Sequence, residues 1–290
     1  MEHTQIYSEI IAGTMTWGSW GKKLSKKEMG ALMHHCVDHD ITTFDHADIY
    51  GDYENETLFG NAFADSGIDR TKIQLITKCG LQMTRGRSNQ VKHYQYDKEY
   101  IIWSAEESLR KLQTDFVDLF LLHRPSPLMQ PNEIAEAVEI LKRDGKIKEF
   151  GVSNFTPSQI ALLETDVPVS GNQVEFSLTH GEPMYDGTFD DCMAHGRMAM
   201  AWSPLGGYFN EKNERTSDIA KAMAQLSEKY DADESQLLLA FVMKHPARVY
   251  PVVGTTNERR LTAAMEATKM DLELEDWFIL LEASNGRRVP

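Results

Sequence analysis

The sequence predicts an α/β fold, a single (β/α)8 TIM barrel over residues 1–290. Eight short apolar segments alternate with longer amphipathic ones, and no change of composition marks a domain boundary. Segments such as Phe116–Leu122 are apolar at odd and even positions alike, which is typical of parallel strands covered on both faces. The alternative is a doubly wound open sheet, but no GxGxxG fingerprint follows the first strand. The repeated strand-then-helix order therefore favours the closed barrel.

The predicted strands follow one another along most of the chain. They are Ile10–Met15, Thr42–Asp45, Ile73–Lys78, Phe116–His123, Glu149–Ser153, Asn172–Phe176, Ala199–Trp202 and Val249–Val253. Helices are predicted where apolar residues recur at helical spacing. These are Lys26–His35, Asp97–Lys111, Glu133–Arg143, Ser158–Glu164, Ser217–Tyr230, Glu234–Lys244 and Leu274–Ala283.

Local signals set several boundaries of these elements. Asn132 is predicted to cap the helix that ends before Gly145, and Thr156-Pro157 to open the next one, with proline at its first position. The segment Leu81–Tyr96 is polar and contains Gly, Arg and aromatic residues, which predicts a loop beside the site. A second polar loop is predicted at Tyr208–Ser217.

The charge balance and the cysteines exclude several classes of function. The chain has 44 acidic and 30 basic residues, a formal net charge of −14, which argues against nucleic-acid binding and against attraction to anionic membranes. The three cysteines, Cys36, Cys79 and Cys192, are far apart, so neither a disulfide scaffold nor a structural zinc site is expected. This use of cysteine predicts a reducing compartment and therefore a cytoplasmic location. The N-terminus does not resemble a signal peptide, and no apolar run could span a membrane.

Polar residues gather at the carboxyl ends of the predicted strands, where parallel barrels carry their active sites. In chain order they are Asp45, Lys78, His123, Ser153, Asn154, Gln173, Glu175, Trp202, Ser203, Gly254, Thr255 and Thr256. Tyr50 lies in the loop that leaves the second of these strands. The set predicts one polar mouth at this end of the barrel.

An Asp, a Lys, a Tyr and a His in one mouth predict proton donation to a carbonyl oxygen. A phenol has a pKa near 10, and a nearby ammonium lowers it. A buried lysine in turn needs a carboxylate to stay charged. We therefore expect Asp45 to hold Lys78, Lys78 to lower the pKa of Tyr50, and His123 to orient the carbonyl. The run 45–48, DHAD, superficially resembles a metal site, but without HxH or HExxH no metal is expected.

These residues stand in segments that resemble the aldo-keto reductase superfamily. The matching segments are DHADIYG at 45–51, LITK at 75–78, LLHRP at 121–125, GVSNF at 151–155, NQVE at 172–175 and SPLGG at 203–207. They occur in family order over nearly the whole chain. The short C-terminal tail resembles the bacterial oxidoreductase and potassium-channel-β-like branches, and it implies an open pocket with broad substrate selectivity.

The resemblance implies a catalytic tetrad of Asp45, Tyr50, Lys78 and His123, with Tyr50 as the general acid. It also implies NADPH, in preference to NADH, as the cofactor. The residues that would hold it are Ser153, Asn154 and Gln173 at the carboxamide, Trp202 stacked on the nicotinamide, Ser203, Leu205 and Gly207 at the pyrophosphate, and Gly254, Thr255, Thr256 and Arg260 near the 2′-phosphate.

The sequence departs from the family pattern near the adenosine. Gly254 stands where much of the family has a lysine, and Ala263 and Ala264 align with its Glu-Asn pair. Aromatic side chains are expected to line an apolar substrate pocket. These are Trp17, Trp20, Tyr53 and Phe155.

The favoured function is an NADPH-dependent reductase of small aldehydes and ketones. The first alternative is an NADP(H)-binding regulatory or partner subunit with little turnover. The second is a lyase or hydrolase on the same barrel, in which Lys78 forms a Schiff base or Asp45 and Glu175 act as a carboxylate pair. The sequence leaves the physiological substrate and the oligomeric state open.

Overall fold

A computed structural model describes residues 7–290. Residues 1–6 lie outside this range; they belong to the predicted 1–290 domain and to the N-terminus that was compared with signal peptides. It contains ten strands. They are β1 Ile11–Gly13, β2 Thr43–Asp45, β3 Gln74–Cys79, β4 Leu81–Gln82, β5 His93–Tyr94, β6 Val117–Leu122, β7 Ile147–Ser153, β8 Gly171–Glu175, β9 Met198–Trp202 and β10 Tyr250–Val253.

Eight of these strands close into a parallel barrel. The order around it is β1, β2, β3, β6, β7, β8, β9 and β10, and β10 pairs with β1 to complete the circle. The prediction of a (β/α)8 barrel is confirmed, as are its strands, whose ends differ by only one or two residues. The closed circle leaves no free sheet edge and excludes the doubly wound alternative.

Helices cover the outside of the barrel. They are α1 Lys26–Asp38, α2 Asn55–Ser66, α3 Lys98–Leu112, α4 Pro131–Arg143, α5 Pro157–Leu163, α6 Thr188–His195, α7 Glu214–Tyr230, α8 Glu234–Met243, α9 Glu258–Ala267 and α10 Leu274–Asn285, with short 3-10 turns at Arg70–Lys72 and Glu182–Met184. The sequence did not predict α2, α6 or α9. Two have weak local signals: α2 lacks a side-chain cap, and α6 is short and bounded by glycines.

The predicted capping is correct at one helix and wrong at another. Thr156 caps α5 in a capping box with Gln159, as expected. Asn132 does not cap α4, because the helix begins at Pro131 and Gln130 holds the cap position. Proline is favoured at the first helical position, where its missing N–H costs no hydrogen bond, so the helix starts there.

The apolar strands separate two layers of core. Inside the barrel, a small cluster includes Ile11, Ile76, Leu119 and Met200. Outside it, larger clusters fill the space between strands and helices. Both faces of each strand are thus buried, which explains why several of the segments are apolar at every position. No helix within residues 7–290 combines the length and the apolar character needed to cross a membrane.

The segment predicted as a polar loop at 81–96 contains an antiparallel hairpin, β4 with β5. Its base is fixed against the barrel by Tyr96, whose hydroxyl donates to the Arg124 carbonyl at 2.6 Å. Gly80 turns the chain with φ +104°, and a Cβ there would lie 1.8 Å from the Tyr96 ring. Glycine is therefore required at this position to let the hairpin leave β3 beside the mouth.

Candidate active site

The mouth of the barrel receives its polar side chains through the alternation of strand residues. Lys78 of β3 points into the barrel, whereas its neighbours Thr77 and Cys79 point outward toward the helices. Cys79 accordingly lies buried in the outer core. Asp45 ends β2 and Gln173 lies on β8, so their side chains reach the same interior.

Lys78 stands at the centre of the site. Its Nζ donates to both carboxylate oxygens of Asp45 at 2.7 Å and to the carbonyl of His46 at 2.8 Å. The fourth contact is the hydroxyl of Tyr50, at 3.4 Å. Lys78 and Asp45 are 1% and 2% exposed. Burial lowers the pKa of Lys78, but Asp45 and Tyr50 beside it raise that pKa by more, so the ammonium remains charged.

The pKa of Tyr50 is shifted in the direction opposite to the predicted one. The sequence predicted that Lys78 lowers the pKa of Tyr50. Lys78 does act that way, but burial, together with the charge of Asp45, raises the pKa of Tyr50 above its ordinary value. The shift has the opposite direction mainly because burial removes the water that would solvate a phenolate, and the Asp45 carboxylate that holds Lys78 adds to it by repelling the phenolate. Tyr50 therefore carries its proton at neutral pH.

His123 follows β6 and faces Tyr50. The two ring centroids are 6.1 Å apart, and the ring planes are nearly perpendicular. Burial and the nearby cations Lys78, Arg124 and Lys92 hold the pKa of His123 well below its ordinary value. The imidazole is therefore neutral. Its Nδ1 is buried and has no hydrogen-bond partner within residues 7–290.

Asn154, just past β7, joins the centre of the mouth to one wall. Its backbone is left-handed, with φ 63°. Its side-chain Nδ2 donates to Ser153 Oγ at 2.8 Å and to the His123 carbonyl at 3.3 Å. Its Oδ1 accepts from Trp202 Nε1 at 2.9 Å. The indole of Trp202 is thereby held half-buried at the end of β9.

Gln173 connects this wall to the ion pair. Its Nε2 donates to Asp45 Oδ1 at 2.9 Å, and its backbone carbonyl accepts from Ser153 Oγ at 2.8 Å. The residues predicted at the carboxamide position thus share one hydrogen-bond network with Asp45.

The remaining predicted cofactor residues lie on two neighbouring segments. After β9, Ser203 has φ 51°, Leu205 is half-buried, and the Gly207 amide donates to Thr179 Oγ1 at 3.0 Å. After β10, the space where Gly254 would carry a Cβ is open. Thr255 and Thr256 follow it, and Arg260 is exposed in the first turn of α9, whose cap is Asn257.

The aromatic residues predicted to line a pocket divide into two groups. Trp20 is 36% exposed, and its ring centroid lies 6.2 Å from that of Tyr50, so it borders the mouth. Tyr53 lies beneath the hairpin, where its hydroxyl accepts from the Met83 amide at 2.8 Å.

The other two aromatic residues do not reach the mouth. Trp17 and Phe155 are fully buried in the outer core, where Trp17 packs against Phe44 and Phe59. The prediction that they line the pocket is wrong, because an aromatic residue near a strand end can turn outward beneath the helices.

A second buried polar cluster behind β3 was not predicted. Glu56 accepts from Thr77 Oγ1 at 2.7 Å, and Asp48 accepts from the hydroxyls of Tyr100 and Ser104 at 3.4 Å each. Burial, helped by the charge of Glu56, raises the pKa of Asp48 to about 7. In the sequence, the only signal was the position of Asp48 inside the DHADIYG segment.

His46, also in this segment, is buried against Thr14 with 2.8 Å between Oγ1 and Nδ1. Burial lowers its pKa to about 3. Within residues 7–290, no three His, Cys, Asp or Glu side chains are grouped so that they could hold a metal ion.

The chain resembles known proteins along almost its full length. The model of the Aldo/keto reductase family matches residues 9–284. The "Uncharacterized oxidoreductase YcsN" of Bacillus subtilis is 39% identical and the "Oxidoreductase YdhF" of Escherichia coli 36%; each alignment covers 98% of this chain and 96% of the relative. A "6-dehydroglucose reductase" of Agrobacterium fabrum is 33% identical over the whole of both chains.

Solved structures share the architecture. An aldo/keto reductase from Klebsiella pneumoniae, crystallised with NADP and acetate, superposes with a TM-score of 0.79 at 26% identity, over 98% of this chain and 93% of that one. A glycerol dehydrogenase from Gluconobacter oxydans superposes with a TM-score of 0.86 at 20% identity, over 98% and 94%, and supports the fold alone.

Proposed function

This chain belongs to the aldo/keto reductase family, a family of NAD(P)H-dependent oxidoreductases, and on that premise we propose that it reduces small aldehydes and ketones to alcohols with NADPH. The observation that carries the proposal is the buried contact of Lys78 Nζ with both Asp45 and the Tyr50 hydroxyl. A protonated phenol with an ammonium beside it and a neutral imidazole facing it is suited to protonating a carbonyl oxygen.

The donor set in the mouth fits a nicotinamide dinucleotide. Ser153, Asn154 and Gln173 offer amide and hydroxyl groups at adjacent strand ends, as a carboxamide requires. The half-buried Trp202 offers a ring face for stacking. The bends at Ser203–Gly207 would take the pyrophosphate.

The adenosine end fits the same cofactor. The open space at Gly254 would leave room for a phosphate, and the N–H groups at the start of α9, with Arg260 in its first turn, would bind it. Thr255 and Thr256 border this space. A guanidinium pairs with a 2′-phosphate in bidentate geometry, which favours NADPH over NADH.

In the reaction, Tyr50 gives its hydroxyl proton to the carbonyl oxygen as the carbonyl carbon is reduced. The phenolate that develops is stabilised by Lys78, and Asp45 keeps Lys78 charged in the buried site. Neutral His123 orients the carbonyl oxygen toward the phenol by a hydrogen bond. A nicotinamide held in the mouth would supply the hydride to the carbonyl carbon. General acid catalysis of this kind contributes about 10²–10⁴-fold in rate.

The alternative reactions on this barrel are less well supported. A Schiff base needs a neutral Lys78 with a free electron pair, but its Nζ contacts the Asp45 carboxylate, the His46 carbonyl and the Tyr50 hydroxyl. A pair of catalytic carboxylates needs Asp45 free, but it binds Lys78 and Gln173. Both observations favour carbonyl reduction.

We also propose that residues 1–290 form one barrel domain located in the cytoplasm. The barrel strands extend from Ile11 to Val253, and the family match extends from residue 9 to residue 284. Cys36, Cys79 and Cys192 are all free thiols in buried positions, in keeping with a reducing compartment.

The test is NADPH consumption with small aldehydes, ketones and dicarbonyls, comparing the wild type with Tyr50→Phe. We expect kcat/KM to fall at least about 10²-fold, because the variant loses the proton but keeps the ring. Tyr185→Phe, at a hydroxyl far more exposed, is the matched control and should retain full activity. NADPH affinity, measured by fluorescence, should be the same in all three proteins.

Two results would contradict the proposal. Undiminished turnover in Tyr50→Phe would remove Tyr50 from the chemistry. Tight NADPH binding by the wild type without turnover of any carbonyl would favour the regulatory or partner subunit instead.

A further inference from the structure

Arg124 lies at the edge of the mouth, and among residues 7–290 its guanidinium contacts an aromatic ring but makes no hydrogen bond and no ion pair. It directly follows His123 and is half-buried. Its guanidinium carbon lies 5.6 Å from the centre of the Trp202 ring. Within residues 7–290 that guanidinium has no hydrogen-bond acceptor and no carboxylate at ion-pair distance; only the Arg124 backbone is bonded, at both its N–H and its carbonyl, to Tyr96.

The other arginines of comparable burial are satisfied. Arg197 binds Glu164, Asp191 and the Val169 carbonyl. Arg70 binds Asp118, Thr114 and two backbone carbonyls. The contact with the Trp202 ring compensates only part of the hydration that a half-buried guanidinium loses, and it leaves the N–H donors of Arg124 free to bind a ligand.

Arg124 is one of two cations near His123 that have no ion-pair partner among the described residues, in a chain whose formal net charge is −14. The other is Lys92, on the hairpin segment, and the charges of both help to lower the pKa of His123. The Tyr96 hydroxyl bonds fix the backbone at Arg124 and with it the start of the side chain. A guanidinium whose N–H donors are free is the group that proteins use to bind carboxylate or phosphate through two parallel hydrogen bonds.

We propose that Arg124 binds an anionic group of the substrate, so that the carbonyl compounds this enzyme prefers carry a carboxylate or a phosphate. This inference rests on the proposed function, since it places the reacting carbonyl between Tyr50 and His123. The anion then lies at the edge of the mouth beside Trp202, and the product alcohol keeps its charge.

The experiment compares two pairs of substrates that differ only in the anion. Succinate semialdehyde is paired with butanal, and glyceraldehyde 3-phosphate with glyceraldehyde, so the pairs distinguish carboxylate from phosphate. We expect the wild type to prefer the charged member of at least one pair by about 10-fold or more in kcat/KM. Arg124→Gln should lower kcat/KM for that charged member about 10²-fold, mostly through KM, because a charge-assisted bidentate contact is lost.

Three controls distinguish a direct contact between Arg124 and the substrate anion from general effects on charge, folding or cofactor binding. Arg124→Lys should recover part of the activity toward the anion, because it restores the charge without the fork. Arg85→Gln removes the same charge from the hairpin, where Arg85 is 79% exposed and paired with Asp52, and should change no rate more than about threefold. The neutral members and NADPH affinity should be unaffected by Arg124→Gln.

The inference is overturned if the wild type shows no preference in either pair, if Arg124→Gln slows charged and neutral members equally, or if it weakens NADPH binding. Failure of the proposed function looks different. In that case no member of either pair is reduced in a Tyr50-dependent way, whereas Tyr50-dependent reduction of butanal without any preference for anions contradicts only the role of Arg124.

Discussion

Two clusters of buried ionisable groups lie on opposite faces of β3, and they differ in whether a buried charge has a counter-ion. On the inner face, Lys78 meets Asp45 at 2.7 Å, a cation with its counter-ion. On the outer face, Asp48 and Glu56 are both acids, and no cation of the described residues forms an ion pair with either. Burial alone therefore does not decide the protonation state; the presence of a counter-ion does.

The same short loop belongs to both clusters. The carbonyl of His46 accepts from Lys78 Nζ at 2.8 Å, and the amide of Asp48 donates to the Lys78 carbonyl at 3.0 Å. Tyr50 follows two residues after Asp48 in the chain. Burial raises the pKa of both outer acids and so favours their neutral forms, whereas the inner pair combines a cation with its counter-ion next to Tyr50.

The largest effect is expected from Lys78→Met, which removes the cation from the inner cluster. Asp45 would then be a buried carboxylate without its counter-ion, and we expect a loss of about 3–5 kcal/mol in the free energy of unfolding. We expect kcat/KM to fall by at least about 10²-fold, because the phenolate loses its stabilising charge. Urea denaturation and steady-state kinetics measure the two effects.

A double variant separates the two consequences of that change. Lys78→Met with Asp45→Leu replaces the ion pair by apolar side chains, which is often neutral for stability. We expect it to regain most of the free energy of unfolding and none of the activity. If the single variant Lys78→Met is as stable as the wild type, then Lys78 does not stabilise the buried Asp45 carboxylate, which contradicts this prediction.

A smaller effect is expected from Asp48→Asn in the outer cluster, and it depends on pH. The pKa of Asp48 is raised from 3.8 to about 7 in the folded protein, so the acid stabilises the fold while protonated. That contribution is complete below pH 3.8 and is lost as the pH rises toward 7, by up to about 4 kcal/mol. Asn cannot ionise, so the variant should gain stability relative to the wild type between pH 5 and pH 8.

The comparison must be made as a difference between two proteins. The pKa of His46 is lowered to about 3, so its contribution has the opposite sign and is lost as the pH falls below 6.5. Subtracting the wild-type free energy of unfolding from that of the variant at each pH cancels the contribution of His46, which is the same in both proteins. Asp115→Asn, at an exposed acid, is the matched control and should show no such dependence on pH. If Asp48→Asn also shows none, Asp48 titrates normally and the outer cluster is not desolvated as described.

The inner cluster could be predicted from the sequence and the outer cluster could not. Asp45 and Lys78 end apolar strands, and in a parallel barrel all such ends meet at one mouth. Asp48 and Glu56 point away from that mouth, and their proximity depends on how α2 and α3 pack on β3, which no periodicity in the sequence encodes.

Depth of burial was the other quantity that the sequence could not supply. It reversed the expected shift in the pKa of Tyr50, because the sequence indicates which charges are near but not how much water is excluded. It also placed Trp17 and Phe155 in the outer core, since apolar aromatic side chains suit either side of a strand end. Residue types and their order therefore predicted which polar side chains meet at the mouth, but not how deeply each of them is buried.

The smallest effect is expected from Glu56→Gln. Burial raises the pKa of Glu56. Among residues 7–290, its Oε1 accepts from the Thr77 hydroxyl at 2.7 Å and its Oε2 has no hydrogen-bond partner. An amide keeps that acceptor and the shape of the side chain, so we expect the free energy of unfolding at pH 7 to change by no more than about 1 kcal/mol. Activity should be unchanged. If Glu56→Gln lowers the free energy of unfolding as much as Lys78→Met does, then Glu56 is ionised in the folded protein. The outer cluster would then hold a stabilised charge, as the inner cluster does.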